Sequence, residues 1–165
     1  MTRSLTMNHT QAQRIVVGID GSAESLSALR WALNEAASTN STIEAVHCWQ
    51  PHTIPDVIFG SAEEMHRGSI CMLRNEVQAA LAGMPDKPTV VETSVHGRPT
   101  HVLLERASGA RLLVLGAHGH TNLHDVAFGR VATSCLRHAV CPVVIVDRTE
   151  KVLHHTKEKV LGTRA

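Results

Sequence analysis

A chain of 165 residues with 43% hydrophobic and 19% charged residues favours one folded domain with a substantial core. A formal net charge of +1 provides no bulk attraction to nucleic acid or an anionic membrane, and 2% aromatic residues leave little for base stacking. The run MTRSLTMNHTQA lacks the apolar core of a signal peptide, no apolar run reaches membrane-spanning length, and Cys48, Cys71, Cys135 and Cys141 form no C-x-x-C pair. A reduced, cytoplasmic protein is therefore expected. The 12 histidines make its charge sensitive to mild acid.

With so few rings, the core falls to Val, Leu, Ile and Ala, which suits parallel strands buried under helices. Residues 1–13 read as a polar, loosely ordered extension. Residues 14–19, RIVVGI, form the first expected strand and run into Asp20, Gly21 and Ser22. Leu26, Leu29, Leu33 and Ala36 recur three or four apart, so 23–37 is a helix with Trp31 at the stripe's margin and Ser22 or Asp20 as its cap. Residues 42–49, TIEAVHCW, form the second strand, with Cys48 as a small buried hydrophobe. Residues 50–60 hold Pro51, Pro55 and Gly60 and form a loop long enough to be a lid or binding segment.

A second helix is expected over 61–82 and a break at GMPDKP. A third strand over 89–95 is weakened by Glu92, Thr93 and Ser94. A short helix over 100–108 buries Val102, Leu103 and Ala107 and stops at Gly109. The fourth strand is 112–115, the fourth helix 130–138 and the fifth strand 143–146. The rest, 149–165, reads as a peripheral polar tail. Five strands alternating with four helices predict an α/β fold: a three-layer, doubly wound, five-stranded parallel sheet of Rossmann-like type over 14–148.

The chemistry concentrates in LLVLGAHGHTNLHDVAFGRVATSCLRHAVCPVVIV. A strand breaks at Gly116, Gly119 follows, and Gly129 stands where a helix begins. Glycines admit close backbone approach, and helix N-termini offer free N–H groups to an anion. In a doubly wound sheet Asp20, the strand end near Cys48 and this loop meet beyond the strands' carboxyl ends. The predicted occupant is a nucleotide. His118, His120 and His124 with Asp125 have a metal-like spacing but no complementary cluster, so no metal site is expected and His118 or His120 is assigned phosphate contact instead. Cys135 and Cys141 read as buried thiols rather than a redox pair. G-x-S-x-G, H-E-x-x-H, G-x-x-x-x-G-K-[ST] and G-x-G-x-x-G are absent, and no nucleophile is paired with a base. Fast catalysis is not expected.

Over about 14–148 the chain resembles the universal stress protein family, a group of nucleotide-binding α/β folds related to the adenine nucleotide alpha hydrolases. Gly116, Gly119 and Gly129 match the family's pattern of Gly, two residues, Gly, nine residues, Gly. VVGIDGSAES carries Asp20 at the usual acidic position, and VHGRP and LRHAVCPVVIV are similar to the family as well. The resemblance implies that the three glycines surround phosphates, with Arg130 and Val131 beside them. It implies that Asp20 meets the ribose and that backbone at Cys48 meets adenine. It further implies a cytoplasmic homodimer through the last strand, 143–146, serving a stress-response or regulatory role with an unidentified protein partner. ATP or another adenine nucleotide is the implied ligand, with Mg as its companion ion. Arg130 and Ala132 depart from the family's hydroxyl residues. They motivate the alternatives: an interaction module of the same fold that has lost nucleotide binding, or a binder of AMP or cyclic AMP.

Overall fold

The computed structural model describes residues 13–51, 61–120 and 127–156. The extension through residue 12, residues 52–60 of the long loop, residues 121–126 and the chain from 157 onward lie outside the described residues. The elements in order are β1 (Arg14–Ile19), α1 (Ala23–Thr39), β2 (Thr42–Trp49), α2 (Ala62–Leu81), β3 (Val90–His96), α3 (Pro99–Ala107), β4 (Leu112–Gly116), α4 (Arg130–His138), β5 (Val143–Val146) and β6 (Val152–His155). They form one six-stranded sheet in the order β3-β2-β1-β4-β5-β6. Neighbours from β3 through β5 are parallel.

RIVVGI is apolar without a break because both faces of β1 are covered. Successive side chains alternate between faces. Ile15 and Val17 pack with Leu29 and Leu33 of α1 and Leu73 and Val77 of α2. Val16 packs on the other face with Val102 and Leu103 of α3 and Ala132 and Cys135 of α4. All three β1 residues are fully buried. β3 lies at an edge, where most of its side chains are half-buried or exposed, which accounts for its polar pattern.

Local signals set the helix ends. Ser22 caps α1 by accepting from Ser25 N, and Asn40 closes it in the left-handed conformation at φ 52°. Ser61 and Glu64 make a reciprocal capping box on α2. One polar network is buried in the sheet. Glu44, 4% exposed, accepts from Arg14 at 2.9 Å, Arg106 at 3.0 Å and Thr93 Oγ1 at 3.2 Å. A buried carboxylate is tolerable when its oxygens are paired in this way.

Two expectations need correction. The sheet has six strands, because Val152–His155, expected as peripheral tail, forms β6. β6 runs antiparallel to β5, with Val144 opposite His155 and Ile145 opposite His154. Its formation is imposed by context. β5 is wholly apolar and buried, and such an edge needs a cover. The turn into β6 is built by Asp147 Oδ1, which accepts from Thr149 N, Thr149 Oγ1 and Lys151 N. Thr156 Oγ1 accepts from Val143 N at 2.7 Å. Arg148 pairs with Glu24 at 3.0 Å, and its carbonyl accepts from Ser27 Oγ at 2.9 Å. Pairing of 143–146 with a second copy therefore meets an edge already filled by this chain.

Candidate functional site

The connection after β1 leads to β2 on one side, and that after β4 leads to β5 on the other. Strand order reverses between them, so a crevice opens at their carboxyl ends. A cavity of about 660 Å³ lies there, within the size range of small-molecule sites. Asp20, Cys48, Gly116, Gly119, Gly129, Arg130 and Val131, the residues singled out from the sequence, all line it. His118 and His120 line it as well, whereas His124 and Asp125 lie outside the described residues.

The three glycines are bare for different reasons. A Cβ on Gly116 would lie 2.8 Å from Glu24 Cβ and 2.9 Å from the Glu24 backbone, so close packing of β4 on α1 already demands glycine. A Cβ on Gly119 would lie 2.5 Å from the Asp20 carboxylate. A Cβ on Gly129 would meet nothing closer than 3.6 Å, and its φ is −62°. Among the described residues nothing fills the space beside Gly129.

The mouth of α4 is partly self-satisfied. Gly129 N donates to Ala117 O at 2.8 Å. The N–H groups without an intrahelical partner are then those of Arg130, Val131 and Ala132, the first turn. Gly129 therefore contributes space rather than its N–H. Ala132 presents a methyl where the family pattern has a hydroxyl, and Thr133 Oγ1 donates back to Phe128 O at 3.2 Å. Arg130 is exposed and lines the cavity, and α4 supplies no hydroxyl contact at these positions.

Asp20 sits at the floor. Its Oδ1 accepts from Ser22 N at 2.9 Å, so it shapes the turn while Ser22 itself caps the helix. Its backbone carbonyl accepts from His120 Nε2. Sequence reasoning missed His47, which lines the cavity from β2 and lies within electrostatic reach of Asp20. Its Nδ1 is 2.6 Å from Ser69 Oγ, which is 2.6 Å from Ser94 Oγ. Burial lowers the His47 pKa, Asp20 raises it and His120 lowers it further. The signal for His47 was a polar residue at the carboxyl end of an inner strand, the position ligands favour.

Burial holds two of the thiols in the protonated form. Burial pushes Cys48 up to about 11, against an opposing pull from Arg106. Burial likewise pushes Cys135 up to about 12. All four cysteines are free. Among the described residues no helix is long and apolar enough to cross a membrane.

Comparison with known proteins gives a consistent result. A family model described as "Universal stress protein family" matches residues 11–147. A universal stress protein of Mycobacterium tuberculosis is 30% identical over 152 residues, covering 87% of this chain and 50% of that one. A second protein of that name and organism is 29% identical over 146 residues, covering 84% and 49%. This chain thus spans about half the length of the curated relatives it matches. The universal stress protein UspA from Lactobacillus plantarum superposes with a TM-score of 0.68 at 23% identity, covering 81% of this chain and 97% of that one. A universal stress protein crystallised in complex with cAMP superposes with a TM-score of 0.62 at 28% identity, covering 82% and 97%.

Proposed function

This chain belongs to the universal stress protein family, and from that premise we propose that the cavity between β1 and β4 binds an adenine nucleotide, with ATP as the principal candidate. The observation that carries the reading is the cavity itself. It lies at the strand-order reversal, with Gly119, Gly129 and the first turn of α4 on its wall. The cAMP complex of a protein 28% identical supports the adenine class. Backbone N–H groups of α4 and Arg130 would hold phosphate, Asp20 the ribose, and the strand end at Cys48 the base. Mg is proposed only as the counter-ion that a triphosphate carries.

The role proposed is regulatory, in a stress response: nucleotide occupancy biases one arrangement of the loops around the cavity and hence what a partner meets. We further propose a homodimer through the last strand of the sheet, which is β6, and light scattering on the purified chain tests it.

The deciding experiment is a thermal-shift titration with ATP, AMP and cyclic AMP, together with mass spectrometry of nucleotide released from the denatured protein. A raised midpoint with at least one nucleotide is expected, because a native-state ligand stabilises by mass action. Ala132 and the inward-turned Thr133 favour a second reading, an interaction module that has lost its ligand. No shift with any of the three selects that reading.

A further inference from the structure

We propose that His47 and His120 make this cavity a charge-matching site, in which binding of a phosphate-bearing ligand is accompanied by proton uptake on the two imidazoles. The inference rests on the nucleotide reading above and adds its regulation by acid.

Among the described residues, the permanent charges lining the cavity are one Asp20 and one Arg130, which cancel. The other ionisable lining residues are His47, His118, His120 and the protonated thiol of Cys48. An anionic ligand entering such a site has no fixed excess of positive charge to meet it, and the Asp20 carboxylate stands against Gly119, where phosphate is expected. Imidazoles supply the missing charge by taking up protons, since a nearby anion favours the charged form.

Both rings are already held in geometries that accept a second proton. His120 Nε2 faces the Asp20 carbonyl, which can only accept, so that nitrogen carries hydrogen and Nδ1 is left to protonate. His47 Nδ1 faces the Ser69–Ser94 hydroxyl pair. With His47 neutral, Ser94 donates to Ser69 and Ser69 to Nδ1. With His47 charged, Nδ1–H donates to Ser69 and the hydroxyl pair turns round. Each protonation state is therefore hydrogen-bonded at Nδ1.

The groups facing these rings come from every surrounding element. Asp20 lies at the end of β1, and His47 at the end of β2 is within electrostatic reach of Asp20 and of His120 in the loop after β4. From α2 come neutral Ser69, Met72 beside Gly21, and Glu76, which interacts with Asp20 and is itself answered by Arg30 of α1. Burial lowers the His47 pKa and so favours its neutral form in the empty site, a bias that a bound anion opposes.

Cyclic AMP is the probe, because its phosphodiester charge is fixed near neutrality whereas a phosphomonoester titrates at about pH 6. Adenosine is the uncharged control. Calorimetry of the intact chain in buffers of differing ionisation enthalpy is expected to show proton uptake with cyclic AMP and none with adenosine. The cyclic AMP Kd should weaken about tenfold from about pH 6 to about pH 8, and that of adenosine should stay level. His47→Gln and His120→Gln should each remove part of the slope, and the double substitution most of it. Ser94→Ala, acting only through the relay, should move the midpoint of the profile. A pH-independent Kd for cyclic AMP in the unaltered chain, or a full slope in the double variant, overturns the proposal while leaving nucleotide binding intact. No binding of either probe at any pH overturns this proposal, and the nucleotide reading falls with it only when ATP also gives no thermal shift.

Discussion

Glu44 and Asp20 are carboxylates on neighbouring strands, one within β2 and one just past β1, and their surroundings differ in kind. Glu44 is met by two guanidinium groups and a threonine hydroxyl. Asp20 is met by the Ser22 N–H, and it shares its cavity with three imidazoles and a bare glycine loop. Glu44 is answered by permanent cations and serves the fold. Asp20 is surrounded by groups whose charge can change, in a space the protein does not fill. Burial alone does not separate a structural charge from a functional one. The fixed or adjustable nature of its partners does.

The comparison can be broken most forcefully at Glu44. Glu44→Ala removes the carboxylate that Arg14 and Arg106 share, and should cost about 3 kcal/mol, the low end for a broken buried pair because both arginines can rehydrate. Urea denaturation reads the loss. Nucleotide affinity of the folded variant should be unchanged, and a large drop in affinity would merge the two clusters into one. Next comes Gly116→Ala, whose methyl would press on the Glu24 backbone and should cost about 2 kcal/mol through overpacking. Its counterpart, Gly129→Ala, meets no close atom and should cost at most about 1 kcal/mol, as a poorer N-cap. Gly129→Ala should instead weaken nucleotide binding in a titration, and unchanged affinity would take the ligand away from the α4 mouth.

Two smaller effects concern pH. Glu76 Oε2 is buried without a partner, and its carboxyl pKa is raised from 4.5 by burial and by Asp20, against Arg30. A raised acid pKa in the fold means stability is lost as pH climbs through that value. Glu76→Gln should therefore stabilise the chain at neutral pH, with the gain vanishing below about pH 4.5 in a Tm series. His47 has the opposite sense. Its lowered folded pKa gives stability that is complete above 6.5 and declines as pH falls below it. His47→Gln should flatten that decline in the empty protein, and an identical acid profile in both chains would remove His47 from the account.

Much of this was readable from sequence because the relevant interactions are local. Caps, breaks and apolar runs placed β1 to β5 and α1 to α4 within a residue or two, and the glycine spacing led to the cavity. What escaped depends on neighbours distant in the chain. TIEAVHCW does not reveal that Glu44 lies between Arg14 and Arg106, nor that His47 rests on Ser69. VLHH has no strand signature of its own, and only the apolar flank of β5 makes it one. The reason Gly116 must lack a side chain resides in Glu24, far upstream, and is invisible in any motif.

The carboxyl-terminal hairpin carries a consequence for assembly. Since β6 uses the backbone donors and acceptors of β5, another chain that sought that ribbon would have to peel this one's own end away first. His154 packs edge-on against Phe128, one residue before Gly129, so such peeling would pull on the rim of the cavity. Among the described residues, that ring-to-ring contact ties the terminal ribbon to the segment that leads into α4.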